Sequence, residues 1–414
     1  MRSVAALCFT ARASASLWTP LVRDNAMQGP APRLGAATLP LAGDAGVAIA
    51  GGCSSSCCYA PLSDLWAFSG GVWSNVSQTG AAGIPSARLY HATASAGSPG
   101  ESYMFGGNDV ENGPLGDLWL VALSPPSSAP PQAAMWTQLA PAGAAPEPRS
   151  SHTMNALAEP SDGSFVLFGG ETDAATLSDA WIFTPAGAGS WAKVDAAGDA
   201  GSVSPGERAQ HAAVVVRLPS PSGRTVRALV VSGGVDVNGN DADDVWALAL
   251  DAKPPVWILV GSSAAAGPGA PWPSGRHGHA LWVSASGSAA AGAEGATASA
   301  TTVTLGLFGG QSSSVASPSN FHADTWSFVV DLIAGDDGSV QLSGEQGGAF
   351  TLLDNGAGGG GPTGTSPGPR ALGCAAQSSD GALLYAAGFS GYTGGTDDRL
   401  HNDVWIVNAS AGAM

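Results

Sequence analysis

Cationic side chains are scarce in this chain. Lys and Arg together number 15 against 32 Asp and Glu, the only lysines are Lys193 and Lys253, and the formal net charge is −17. Surfaces that track phosphates neutralise them with clustered basic residues, so this balance argues against nucleic acid and anionic membranes as partners. Charge of either sign is also sparse, at 11% of residues, while Gly numbers 59. Few charges and many glycines suit short strands and tight turns rather than long solvated helices, which gives an all-β class. Also missing is any apolar run near the roughly 18 to 20 residues that cross a bilayer.

The five cysteines, Cys8, Cys53, Cys57, Cys58 and Cys374, are too few and too odd in number for a disulfide framework, which favours a reducing, cytoplasmic compartment. Pointing the other way, Val4 to Phe9 follows Arg2 and precedes the small residues Ala11 and Ala13, in the manner of a short signal peptide. Asn75-Val76-Ser77 and Asn408-Ala409-Ser410 match the glycosylation sequon, which matters only on a secretory route. Residues 1–16 are expected to be a disordered leader, 17–408 one repeat domain and 409–414 a tail.

Internal repetition organises the rest. Arg33, Arg88, Arg149, Arg208, Arg276 and Arg370 each follow a Pro-containing turn and precede an apolar strand. A second strand then ends in Gly51-Gly52, Gly106-Gly107, Gly169-Gly170, Gly233-Gly234 or Gly309-Gly310, and the sixth copy reads Gly388-Phe389. After a variable loop, a third strand opens Asp-x-Trp, placing Trp66, Trp119, Trp181, Trp246, Trp326 and Trp405 two residues after Asp64, Asp117, Asp179, Asp244, Asp324 and Asp403. Fourth strands begin at Trp73, Trp136, Trp191 and Trp257, with Phe350 in the fifth unit. The sixth unit runs out of chain, and Trp18-Thr19-Pro20-Leu21, left over before the first Arg, supplies its missing strand. Stretches such as Ser102–Phe105 and Phe165–Phe168 read as period-2 antiparallel strands punctuated by turns. The units therefore build a β-propeller of six blades with four antiparallel strands each, closed without a free sheet edge by the N-terminal strand.

The diglycine after an apolar strand and the spaced aromatic pair resemble the kelch repeat, also seen in galactose-oxidase-like propellers, over about residues 18–408. Six copies in register make the resemblance specific. It implies a kelch-type propeller of the kind that often serves as a scaffold or adaptor.

Candidate chemistry divides into repeated and unrepeated residues. His91, His152, His211 and His279 stand three residues after the repeat Arg, where Ala36 and Gly373 occupy the other two copies. A residue recurring in four blades reads as the same local hydrogen bond made four times rather than as a ligand set. The repeat Arg and the Asp of Asp-x-Trp read likewise as a pair tying neighbouring strands. Asp236 to Asp244 spaces oxygen ligands as calcium loops do, yet Asp241 stands where an EF-hand needs Gly and Ala247 where it needs Glu. Cys53, Cys57 and Cys58 lack the second ligand pair of a zinc site and read as a local disulfide or thiols. No set of residues carries over the copper site of the oxidase relatives, no nucleophile elbow is present, and no cofactor is assigned.

The loops after the Gly pairs and the blade-to-blade connections emerge on one face, and they carry the sequence variation, whereas the Ala-, Gly- and Ser-rich insertion Ser284–Thr302 lies on the opposite face and reads as mobile. The expected function is a non-catalytic, monomeric protein-interaction module that holds an unidentified protein through Asp236, Asp241, Asp243, Asp397, Asp398, Arg399 and His401 on the loop face. The alternative is a carbohydrate-active or small-molecule enzyme at the channel mouth, using Tyr392, Asp397, Asp398, Arg399 and His401.

Overall fold

The computed structural model describes residues 17–22, 29–41, 46–55, 59–124, 131–157, 162–196, 204–288, 300–312, 320–344, 347–356, 366–377, 383–390 and 400–407. They form six blades built on four antiparallel strands, in sequential order from the innermost to the outermost in blades one to five; blades two and five carry a fifth strand, Val340–Leu342 and Ala349–Asp354 sharing the outer edge of blade five, and Asn108–Asp109 pairs separately with Gly113–Pro114. Blade one, for example, runs Ala37–Pro40, Gly46–Ala50, Leu65–Ser69 and Val72–Asn75. The innermost strands pack in a closed cycle, blade one on two and so on until blade six, Cys374–Gln377, returns to blade one. One four-residue helical turn, Ser263–Ala266, is the only helix among the described residues.

Both faces of each sheet are covered by neighbouring blades, so the middle strands are the most buried and some bury every side chain. Phe165–Phe168 is buried throughout, as is Val245–Ala249. The alternation expected of Phe165–Phe168 is therefore absent, because that pattern belongs to a sheet with one wet face. Outer strands do alternate: Ala133–Leu139 exposes Ala133, Met135 and Thr137 and buries Ala134 and Trp136. The aromatics heading these strands, Trp73, Trp136, Trp191, Trp257 and Phe350, are buried between blades.

Ring closure is as expected. Trp18–Val22 pairs antiparallel with Val404–Val407, with Trp18 opposite Val407, and completes blade six. Its indole packs 4.7 Å from Phe308 and donates from Nε1 to Thr325 Oγ1 at 3.0 Å, both in blade five, so one side chain fastens two blades.

Two features differ from expectation. The insertion Ser284–Thr302 is shorter than composition suggests, because blade five carries its strands outward as Ala280–Ser288 and Thr301–Phe308, and only 289–299 lie outside the described residues. Ser77–Gly80 forms an additional strand, parallel to Ala133–Leu139, which covers the outer edge of blade two.

Candidate functional site

Each blade begins at the loop face with the same polar lock. The repeat Arg lies buried and meets the Asp of its own third strand at 2.5 to 2.8 Å in all six blades. Its Nη1 also donates to the carbonyl of the first residue of the glycine pair, for example Arg33 to Gly51 at 2.8 Å and Arg149 to Gly169 at 3.0 Å. The Trp of Asp-x-Trp donates its indole N–H to the second carboxylate oxygen at 2.6 to 2.7 Å in every blade. Burial pushes the carboxyls of Asp64, Asp117, Asp179 and Asp324 up, but the arginine bonds and charge together with the indole hydrogen bonds outweigh it and hold them below the ordinary carboxylate range. All six repeat arginines are thus spent on structure rather than on reading an acidic ligand.

The glycine pair is required by what surrounds it. A Cβ on Gly106 would stand 2.5 Å from the Arg149 carbonyl oxygen and 3.0 Å from the His152 ring, and one on Gly107 would stand 2.8 Å from His91 Cβ. Each repeat His is therefore held between the second Gly of its own blade and the first Gly of the blade before. In blade six the pair is Ala387-Gly388 rather than Gly388-Phe389: Ala387 takes the left-handed φ of 63° and donates to the Asp403 carbonyl, as Gly51 does to Asp64. The imidazole that would crowd Ala387 is replaced by Ala36. Tyr385 fills the corresponding space over Gly373, its hydroxyl lying 2.2 Å from where a Cβ would stand.

The repeat histidines do not share one hydrogen bond. His91 and His152 each lean on the carbonyl of the residue before the first Gly of the preceding blade, Ala50 and Phe105, without a well-formed hydrogen bond, whereas His211 Nε2 meets Thr153 Oγ1 at 2.9 Å. Burial, reinforced by the neighbouring repeat arginines, holds His91 and His211 down to about 3 and keeps His152 and His279 well below the usual imidazole value. These are neutral packing groups.

One step before each histidine lies a feature the repeat pattern conceals. Gly35, Tyr90, Ser151, Gln210, Gly278 and Leu372 all take a left-handed φ of 53° to 65°. Each N–H donates to the carbonyl of its counterpart in the preceding blade, and Gly35 completes the circle onto Leu372, at 2.7 to 3.0 Å. A continuous ring of six backbone hydrogen bonds surrounds the channel mouth. Only Gly35 and Gly278 advertise it in sequence.

The variable loops rise from a uniform anchor. Leu62, Leu115, Leu177, Ala242, His322 and His401 each donate to the carbonyl of the second residue of the pair and accept from the next repeat Arg N–H. His401 thus stands at an anchoring position, and its Nε2 meets Ser390 Oγ at 2.9 Å as His322 meets Ser312 at 2.6 Å. Asp236 Oδ1 accepts the N–H groups of Asn238 and Asn240, and Oδ2 accepts the Asn240 side chain, which together hold its carboxyl below the ordinary range. Asp241 meets His277 Nδ1 of blade five at 2.6 Å, and Asp243 bonds Ser263 Oγ. The three carboxylates point to three different partners, and among the described residues no group of three or more His, Cys, Asp or Glu is disposed to hold a metal. Asp397, Asp398 and Arg399 lie outside the described residues, as do Tyr392, Cys57 and Cys58. Cys374 is a buried thiol pushed up to about 12.

Beside their acidic residues the loops offer large apolar side chains to solvent. Tyr59, Val110 and Val237, in the loops of blades one, two and four, are 80%, 50% and 63% exposed. A cleft of about 210 Å³ opens between the loops of blades three and four, lined by Glu171, Asp173 and Asp236 together with Ala175, Ala209 and Val235.

Six blades with this lock, pair and anchor define a kelch-type β-propeller. The chain belongs to the kelch-repeat family: the model of the KLHDC2/KLHL20/DRC7 Kelch-repeats domain matches residues 36–288. It is 39% identical over 175 residues to human multiple epidermal growth factor-like domains protein 8, a match covering 41% of this chain and 6% of that much longer relative. The solved structure of YjhT aligns over 91% of this chain and 95% of its own length, with a TM-score of 0.52 and 14% identity, a likeness of fold. Kelch-repeat propellers are commonly protein-interaction modules. Among the described residues no helix is long and apolar enough to cross a membrane.

Proposed function

We propose that this propeller is a non-catalytic interaction module that holds a protein partner on its loop face. The observation that supports this reading is the exposure of Tyr59, Val110 and Val237 at the tips of loops whose bases are fixed by a backbone pattern common to all six blades. Large apolar side chains presented on rigid supports are what protein interfaces use as anchors. The acidic loop of Asp236, Asp241 and Asp243 and the anchoring residue His401 add polar rim contacts on the same face, and the sequence candidates Asp397, Asp398 and Arg399 belong to the loop that leads into His401.

The test is quantitative capture from cell lysate with the intact chain, with Y59S/V110S/V237S, and with M135S/L352S, which alters exposed apolar residues on outer strands. Proteins retained by the intact chain and by M135S/L352S but lost from the loop variant support the reading. Equal capture by all three proteins overturns it.

A further inference from the structure

The cations of this propeller are segregated. On the loop face the described basic residues are the six lock arginines, whose side chains are at most 4% exposed, and Lys193. The remaining described cations, Arg217, Arg224, Arg227 and Lys253, lie on the far strand ends and turns of blade four, at the opposite face. Among the described residues Glu111, Glu147, Glu171, Asp173 and Asp236, on the loop face over blades two to four, make no ion pair. The field there is negative, and charge complementarity selects a positive partner.

The cleft between blades three and four gives that charge a shape. At about 210 Å³ it falls below the ~300 to 1,000 Å³ of small-molecule pockets, and it matches one long side chain. Ala175, Ala209 and Val235 contribute apolar atoms to a lining that is mostly polar, beside Glu171, Thr172, Asp173, Thr176 and Asp236. Glu171 commits one oxygen to Ser151 Oγ at 2.7 Å, while Asp173 makes no hydrogen bond or ion pair among the described residues. Val237 and Val110 stand exposed on either side. A cation on a flexible apolar stem is the group whose two ends suit those two environments.

Building on the loop-face reading, we propose that the sector over blades two to four docks a basic segment of a partner protein, with one Arg or Lys side chain seated in the cleft beside Glu171 and Asp173 and neighbouring apolar side chains resting on Val110 and Val237.

The probe is a displayed library of random dodecapeptides selected on the immobilised full chain, followed by affinity measurement of the enriched peptides. The comparison proteins are E171Q/D173N, the opposite-face control D336N/D337N, which removes the same charge, and Y59S/V110S/V237S. The expected result is enrichment of Arg or Lys next to apolar residues, at least tenfold weaker binding to E171Q/D173N, and unchanged binding to D336N/D337N. Equal weakening by both charge variants overturns the proposal, since net charge alone would then be responsible. Enrichment of acidic or uncharged peptides that Y59S/V110S/V237S loses overturns the basic chemistry and leaves the loop-face reading standing. Peptides that bind every variant alike, or no enrichment at all, overturn the proposal. If lysate capture is also indifferent to the loop variant, the loop-face reading falls with it.

Discussion

Trp18 reaches from the last blade to hydrogen-bond Thr325 in blade five, at 3.0 Å, across 307 positions of sequence. The ring is thus closed by a strand whose most buried residue is shared between two blades. Trp18→Ala removes that anchor and leaves a large cavity, and it should lower stability by about 3 to 5 kcal/mol. Urea denaturation of the variant beside the intact chain measures this, and an unchanged midpoint would show that the strand contributes no closure.

The Arg–Asp lock should behave as a buried pair and not as a surface salt bridge. Arg149→Met removes the guanidinium from the Gly169 carbonyl and from Asp179, whose carboxylate keeps only the Trp181 indole, at a cost of about 3 kcal/mol or more. The double variant R149M/D179N should recover part of this loss, because no charge then remains uncompensated. A full cycle of chemical denaturation checks both statements.

Acid should weaken the fold well above the range of carboxylates. His91 and His211 titrate near 3 and His322 near 4 in the folded chain, against 6.5 for an unperturbed imidazole. Between those limits the unfolded chain binds more protons than the folded one, so stability rises with pH through this window and levels off above it. Stability should be flat above about pH 7 and fall progressively below about 6, by at most about 1.4 kcal/mol per pH unit for each histidine, read as a falling melting temperature. The lock carboxylates add their own loss only below about 4, as they take up protons that the folded state resists. In His152→Ala, which installs the residue blade one carries at Ala36, the acid slope should become shallower; an unaltered slope would place the sensitivity elsewhere.

Ala387 holds a left-handed φ of 63°, which L-residues adopt at a cost of about 1 to 2 kcal/mol. Ala387→Gly restores the pair found in the other five blades. Part of the relief is returned as glycine entropy, so the expected gain is about 1 kcal/mol, read as a higher melting temperature. The Arg370 bond to this carbonyl, 3.4 Å against 2.8 to 3.0 Å elsewhere, should tighten with it.

The architecture was legible because its parts are chemically costly to vary. A buried Arg needs its Asp, the Asp needs its indole, and the glycine pair needs space, so these residues recur at readable positions. The displacement of the sixth pair was not legible, because Gly388 is followed by an apolar residue as Gly234 and Gly52 are, and the Ala at its first position imitates an ordinary strand residue. The extended strands of blade five were hidden by composition: Ser284, Ala285, Ser286 and Gly287 read as linker, but blade five's second strand supplies the hydrogen bonds that hold them. Of the candidate site, the face was legible and its contacts were not. Alternating acidic residues suggested a common ligand, yet Asp236, Asp241 and Asp243 are drawn to separate partners by loop turns that only the fold sets. The cleft at Glu171 and Asp173 joins two loops far apart in sequence, and no local pattern announces it.

The six amides around the mouth point head to tail along a circle. Peptide dipoles arranged in this way cancel in pairs across the axis, so the backbone contributes no net field along the channel, in contrast to a helix terminus, where aligned dipoles attract ions. Every donor and acceptor of that inner circle is also occupied. Whatever approaches this inner circle therefore meets backbone groups already hydrogen-bonded to one another.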